Sequence, residues 1–146
     1  MEYNQAFAAY RTANVRTASQ GQLIVLLYEG AVRELSTACA LFEPDGTIKP
    51  YNIEKFGLCL QKTEAIITEL QVSLNLETSG DIAQNLMSLY TYFNSELLTA
   101  SINQDKSKVE FVLQMMQELT ASWRQIAAST ANVPVAAATG ALNIEG

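Results

Sequence analysis

The residues that could do chemistry are few, and their spacing does not suggest catalysis. The 146-residue sequence contains no histidine. This excludes a Ser-His-Asp triad, a Cys-His pair and a Glu-x-x-His di-iron site. Its two cysteines, Cys39 and Cys59, lack the spacing of a metal site. Each lies in a helical pattern, which favours a buried reduced thiol; a disulfide between adjacent helices is the alternative.

Pairs of acidic residues are the remaining candidates for acid–base chemistry. Examples are Glu64 with Glu69 and Glu110 with Glu118. A charged outer helix face explains both pairs better. The glycines are isolated, so they do not form a phosphate-binding loop. We therefore expect a protein that is not an enzyme and needs neither cofactor nor metal.

Composition favours a partner that is itself a protein. The formal net charge is -6, so nucleic-acid binding is disfavoured because an acidic chain gains nothing from counterion release. Only 16% of the residues are charged, although 49% are hydrophobic. Much of the surface must then be neutral or apolar. The sequence shows no signal peptide and no apolar run of the ~18 residues that a membrane span needs, which predicts a cytoplasmic protein without membrane insertion.

Four long amphipathic stretches must position any functional residue. They run from about 19 to 42, 52 to 76, 81 to 103 and 107 to 130. Short connections make successive helices antiparallel. We therefore predict an all-α fold, an antiparallel up-and-down four-helix bundle with an N-terminal arm or short helix.

The domain organisation follows from the same pattern. Residues 1–130 are expected to form a single helical-bundle domain, in which residues 1–16 are the arm. Residues 43–50 read as a solvent-exposed insertion between the first two helices. Residues 131–146 are dominated by Ala, Gly, Val and Pro and lack helical period, which predicts a flexible tail.

The first helix carries more apolar surface than one bundle interior needs. Ser19 and Gln22 have the spacing of a capping box at its start, and Ser107 with Glu110 repeats that pattern at the fourth helix. An apolar stripe of period 3.6 begins at Leu23. Ile24, Val25 and Tyr28 fall outside that stripe, as do Val72, Met87, Leu98 and Met115 in the other helices. Such surplus apolar surface indicates an interaction site.

Three aromatic residues in the arm share one face of a short helix. Tyr3, Phe7 and Tyr10 are spaced four and three residues apart. They could staple the arm onto the bundle. Alternatively, they could sit reversibly in a groove that a partner also binds.

An ordered set of short motifs resembles the signature of the FliS family, the flagellin-specific export chaperones of bacteria. The motifs are Tyr10, Thr17-Ala18-Ser19, Leu23, Leu27-Tyr28, Gly30-Ala31, Arg33, the run Gly80 to Leu86, Leu89-Tyr90 and Tyr92. The resemblance covers roughly residues 3 to 128. This sequence has Gln20, Gln22 and Glu29 where the family usually has Pro, an acid and Asp.

The resemblance implies a cytoplasmic chaperone that binds the disordered C-terminal segment of flagellin. It would prevent premature polymerisation and deliver flagellin to the flagellar type III export apparatus. The resemblance also places the arm close to the flagellin-binding surface. The residues expected to contact flagellin are Tyr3, Phe7, Tyr10, Ala18, Ser19, Leu23, Ile24, Leu27, Tyr28, Ile82, Gln84, Asn85 and Leu89. The alternative is a structural helical bundle that self-associates and has no client.

Overall fold

Four long helices pack together in the computed structural model, which describes residues 20–74 and 76–130. The expected arm and the tail 131–146 lie outside the described residues. A 3-10 turn, Pro50–Asn52, precedes the second helix. The helices are α1 Gln20–Ala40, α2 Ile53–Ser73, α3 Leu76–Asn103 and α4 Lys106–Thr130.

Helices that are neighbours in sequence are neighbours in space, and α1 also packs against α4 to close the bundle. Phe42, just after α1, meets Phe56 near the start of α2, with ring centroids 5.3 Å apart. Lys108 at the start of α4 bonds to Glu96 near the end of α3. Because each contact joins the end of one helix to the start of the next, α1 and α2 are antiparallel, and so are α3 and α4. The predicted all-α four-helix bundle is confirmed.

The core draws large side chains from every helix. Among the fully buried ones are Tyr28, Leu35, Phe56, Leu60, Ile67, Tyr90, Phe93, Leu97, Val109 and Met116. Burying each such side chain contributes about 1.5–3 kcal/mol relative to leaving it in water. This common core fixes the helices relative to one another.

The buried face of α1 differs from the predicted one. Ile24 and Tyr28 were expected outside the inward stripe, but both are buried in the core. Leu23 and Leu26 were expected inside it, yet they are only half-buried. The reason is that α1 is apolar on most sides at its start, so the pattern alone does not fix which side faces inward.

The connection between α1 and α2 is not simply the solvent-exposed insertion that was predicted. Residues 44–47 are exposed, and Asp45 accepts hydrogen bonds from the backbone and hydroxyl of Thr47. On either side of this turn, Phe42 and Ile48 form an isolated antiparallel bridge and are both buried. The two ends of the connection, at Phe42 and Ile48, are therefore part of the core.

The boundaries and faces of α2 and α3 also differ in detail from the prediction. The 3.6-residue period of the apolar positions predicts that Ile53 and Ile82 face inward and that Ile66 lies beside its inward stripe. In the structure Ile53 and Ile82 are exposed, whereas Ile66 is buried. The long helix of α3 begins at Asp81, as predicted, and a separate helical turn that starts at Leu76 precedes it. Gly80 separates the two with φ +58° and ψ -128°, a conformation that glycine adopts without steric cost.

The N-terminus of α4 is capped by a different residue from the one predicted. Asp105 Oδ1 accepts hydrogen bonds from the backbone N–H groups of Ser107 and Lys108 and from the Ser107 hydroxyl. Its carboxylate is therefore the cap. The predicted capping box between Ser107 and Glu110 is wrong, because the helix already begins at Lys106 and Ser107 lies within its first turn.

Candidate functional site

An exposed aromatic pair lies between α3 and α4. The rings of Tyr92 and Phe111 meet edge to face, with centroids 6.1 Å apart. The two side chains remain 48% and 42% exposed, respectively. Edge-to-face packing suits the ring quadrupoles, but the outer faces of both rings stay in water. The pair is thus a preformed apolar surface with room for a further contact.

Apolar residues and one amide side chain extend this surface toward the Gly80 end of the bundle. Leu89, Asn85 and Ile82 lie three, seven and ten residues before Tyr92, so they continue along the same side of α3. Met115 and Leu119 lie four and eight residues after Phe111 and continue along α4. We call this surface the α3–α4 seam and define it as Ile82, Asn85, Leu89, Tyr92, Phe111, Met115 and Leu119.

A polar cluster closes the other end of the α3–α4 seam. Lys108 Nζ donates to Glu96 Oε2 over 2.7 Å. This hydrogen bond is the main reason that the pKa of Glu96 is lowered and that of Lys108 is raised. Tyr92 also donates to Glu96, which raises the pKa of the phenol. At neutral pH Glu96 and Lys108 are both charged, so the surface that an apolar partner could cover ends at these two residues.

In the core, Tyr28 of α1 packs against one residue from each of the two helices that form the α3–α4 seam. Its ring lies 6.4 Å, centroid to centroid, from Tyr90 on α3 and the same distance from Trp123 on α4. The hydroxyls of Tyr28 and Tyr90 are hydrogen-bonded to each other. Burial raises the pKa of Tyr28 to about 12 and that of Tyr90 further still, so both phenols stay neutral. Side chains from three helices thus fix the spacing of α3 and α4.

The residues expected to contact flagellin divide into those outside the described residues, those of α1 and those of α3. Tyr3, Phe7, Tyr10, Ala18 and Ser19 lie outside the described residues. From α1, Leu23 is half-buried, while Ile24, Leu27 and Tyr28 belong to the core.

The expected α3 residues divide between two sides of that helix. Ile82, Asn85 and Leu89 lie on the α3–α4 seam. Gln84 is also exposed, but it lies seven residues before Thr91, whose hydroxyl bonds to Gln71 of α2. Gln84 therefore lies on the side of α3 that faces α2.

Tyr92 and Phe111 were missed as site residues. The sequence pattern placed Tyr92 beside the inward stripe of its helix without giving it a role, and Phe111 was not singled out. An aromatic residue outside the inward stripe was the available signal. Met115, which was predicted outside the inward stripe, is half-buried on the seam, whereas its neighbour Met116 is fully buried.

The chemistry of the seam suits binding. Its side chains are apolar, aromatic or amide, and none is a nucleophile placed beside a base. Among the described residues, no three His, Cys, Asp or Glu side chains are grouped so that they could hold a metal ion. Within the same ranges, no helix combines the length and apolarity of a membrane span.

Comparison with known proteins gives consistent matches over the whole bundle. The family model described as flagellar protein FliS matches residues 3–130. The flagellar secretion chaperone FliS of Escherichia coli K12 is 36% identical over 112 residues, covering 76% of this chain and 78% of that protein. The Salmonella typhimurium LT2 protein of the same name is 33% identical over 113 residues, covering 77% and 79%. That of Campylobacter jejuni 81116 is 29% identical over 126 residues, covering 86% and 94%. The family match spans all four helices and the α3–α4 seam.

Proposed function

Because the chain belongs to the FliS family of flagellar secretion chaperones, we propose that it binds the C-terminal segment of flagellin in the cytoplasm. Bound flagellin would be unable to polymerise prematurely and would reach the flagellar type III export apparatus in a competent form. The chain acts in this proposal by binding alone, without catalysis or cofactor. Residues 1–130 are the chaperone domain.

The observation that carries this proposal is the exposed aromatic pair of Tyr92 and Phe111, whose edge-to-face contact joins α3 to α4 at the surface. Apolar surface that is left in water at a continuous seam indicates an interaction site. A disordered segment with an apolar stripe can lie along such a seam as an amphipathic helix. The stripe would be covered by the seam, so it could not pair with other flagellin molecules.

The energetics of the proposal require a large apolar contact. A segment that folds on binding loses conformational entropy, and the interface must offset that cost. Aromatic side chains are effective anchors because they bury a large area with few rotatable bonds. Tyr92 and Phe111 would serve as this anchor, and Asn85 could bond to polar groups of the client.

The α1 residues take two roles in this proposal. Leu23, half-buried at the start of α1, remains a direct contact, as do Ala18 and Ser19 just before it. Ile24, Leu27 and Tyr28 are buried, so they would act by holding α3 and α4 at the spacing that the client needs. Gln84 would contact a client only if the client extends to the side of α3 that faces α2.

The arm aromatics Tyr3, Phe7 and Tyr10 are proposed to occupy part of the same surface when no client is bound. Deleting residues 1–12 should then change client affinity more than it changes the melting temperature. Small and equal effects on both quantities would contradict this part of the proposal.

The proposal is tested by titration calorimetry with a peptide of the flagellin C-terminal segment from the same organism. We expect saturable one-to-one binding with a negative heat-capacity change, the mark of apolar burial. Tyr92→Ala and Phe111→Ala should each weaken binding roughly tenfold or more, as truncation of a central aromatic does. Leu98→Ala is the matched control, because Leu98 is exposed on the opposite flank of α3.

Two results would overturn the proposal. Absence of heat together with absence of a complex in gel filtration would leave a bundle without this client. Equal losses for Leu98→Ala and for the seam variants would show that the client does not use the α3–α4 seam.

A further inference from the structure

Two carboxylates continue the lines of the exposed aromatic residues along α3 and α4. Glu118 lies seven residues after Phe111, and Asp81 lies eleven residues before Tyr92. Seven residues are about two helical turns and eleven are about three, so each carboxylate lies on the same side of its helix as the aromatic ring. Both acidic residues are exposed. They therefore flank the α3–α4 seam near its Gly80 end.

The basic side chains of α3 and α4 do not offset these two carboxylates. α3 contains no lysine or arginine, and α4 contains none between Lys108 and Arg124. Both of those side chains are engaged in ion pairs, Lys108 with Glu96 and Arg124 with Glu29. The Gly80 end of the α3–α4 seam therefore places negative charge beside apolar surface.

The stability of the helices explains only one of the two acidic residues. Asp81 lies in the first turn of the long helix of α3, where a negative charge interacts favourably with the helix dipole. Glu118 lies twelve residues from each end of α4, where this effect has vanished. Its position on the line of Phe111 instead places the carboxylate where a bound segment would pass.

We propose that the client segment bound at the α3–α4 seam carries basic side chains beside its apolar stripe, and that Asp81 and Glu118 recognise them. This inference rests on the proposed function and adds the charge of the segment that the seam selects. A client helix anchored on Tyr92 and Phe111 places one lysine or arginine about two turns from its anchor, beside Glu118. It places another about three turns from the anchor, beside Asp81.

The carboxylates and the aromatic pair have different tasks in this arrangement. Exposed ion pairs contribute little affinity, so apolar burial holds the client. Complementary charge speeds the encounter and disfavours segments with acidic residues at the same places. The net charge of -6 attracts a basic segment from a longer distance. Asp81 and Glu118 therefore select the client and fix its register along the seam.

Titration calorimetry with the flagellin C-terminal peptide at low and high salt tests the inference. Asp81→Asn and Glu118→Gln should each weaken binding roughly two- to fivefold at low salt, the range of an exposed ion pair. Replacing both residues by lysine should weaken binding roughly tenfold or more, because like charges then face each other. All these differences should shrink in about 1 M salt, where charges are screened within about 3 Å.

Glu110→Gln is the matched control for Glu118→Gln. It removes the same charge from an exposed glutamate of the same helix, but Glu110 does not lie on the line of Phe111. This variant should bind the peptide like the unmodified chain. Circular dichroism verifies that each variant folds, which matters most for Asp81→Asn because Asp81 lies at the start of a helix.

Charge exchange identifies the client side chains that the carboxylates contact. Each lysine or arginine of the peptide is changed to glutamate in turn. A change that weakens binding to the unmodified chain should be compensated by Glu118→Lys or by Asp81→Lys, but not by both equally. The two compensated positions of the peptide should lie about one helical turn apart, as Glu118 and Asp81 do along the seam.

The outcomes separate a failure of this inference from a failure of the proposed function. If the unmodified chain does not bind the peptide, the proposed function fails and this inference fails with it. If Tyr92→Ala abolishes binding but the double lysine variant binds normally, the client uses the seam without the carboxylates, and only this inference is overturned. Equal losses for Glu110→Gln and Glu118→Gln would also overturn it, because they would reflect net charge instead of a local contact.

Discussion

Replacing either Tyr28 or Tyr90 by Phe should destabilise the bundle, because the hydroxyl of each residue is the hydrogen-bond partner of the other. The two hydroxyls are hydrogen-bonded to each other in the core. Tyr28 is 0% exposed and Tyr90 is 1% exposed. Water therefore cannot replace a partner that is lost.

The size of the effect follows from the number of polar groups left without a partner. Each buried, unpaired polar group costs about 1–3 kcal/mol. Tyr28→Phe leaves the Tyr90 hydroxyl unpaired, so we expect a loss of about 1–3 kcal/mol in the free energy of unfolding. Tyr90→Phe leaves the Tyr28 hydroxyl unpaired and should cost a similar amount, about 1–3 kcal/mol.

The double variant gives the sharpest test. Once Tyr28 is Phe, changing Tyr90 to Phe removes an unpaired hydroxyl instead of breaking a bond. The double variant should therefore lose at least about 1 kcal/mol less than the sum of the two single losses, since the two residues are directly coupled. It should be no less stable than Tyr28→Phe alone.

Urea unfolding measures these differences, followed by circular dichroism and by the fluorescence of Trp123, the single tryptophan. The dependence of the free energy on urea should stay constant, so that midpoint shifts report stability. Tyr51→Phe is the control, because Tyr51 is exposed and should show no effect. Single variants as stable as the unmodified chain, or strictly additive losses in the double variant, would refute the reasoning.

Three further predictions concern pH, a helix cap and the core. Stability should fall as pH rises from about 10 to about 12, because the folded pKa of Tyr28 is raised to about 12 above its unfolded value of about 10. The free energy of unfolding, measured across this pH range, should depend less on pH in the double Phe variant. A stability of the unmodified chain that does not depend on pH would contradict the prediction. Asp105→Ala should lower stability by about 0.5–2 kcal/mol because the start of α4 loses its cap, and thermal unfolding should show a smaller loss for Ser107→Ala; the reverse order would show that Ser107 is the cap. Leu27→Asp should destabilise by about 3–5 kcal/mol, since an unpaired charge enters the core; a normally folded variant that only fails to bind the client would place Leu27 on the binding surface.

The helix cap shows how local sequence signals can compete. Asp105 and Ser107 are both good N-cap residues, and Glu110 completes a box with Ser107. The observed cap uses the carboxylate two residues earlier, and the serine hydroxyl donates to it. The sequence indicated that a helix starts here. Only the path of the chain leaving Asn103, with Gln104 at φ +52°, decided which oxygen caps it.

The candidate site was predicted only in part, and the reason lies in the geometry of helix pairs. Ile82, Asn85 and Leu89 were predicted as contacts from a motif on one helix, and they lie on the α3–α4 seam. The pairing of Tyr92 with Phe111 joins two helices, and no periodicity within one helix reports which residue of its neighbour lies opposite. That register depends on how the buried side chains of both helices interdigitate.

The sequence by itself determined that this chain forms four amphipathic helices with short connections, and that histidine-dependent catalysis is impossible. Helical period and composition are local properties, so they can be read without knowing the partner of any residue. The tertiary structure decided which side of α1 is buried, because a helix that is apolar on most sides has no unique inward face. It also decided which aromatic residues remain exposed. Ile24 and Tyr28 entered the core, whereas Tyr92 and Phe111 stayed at the surface, because four helices around one axis enclose only a limited interior volume.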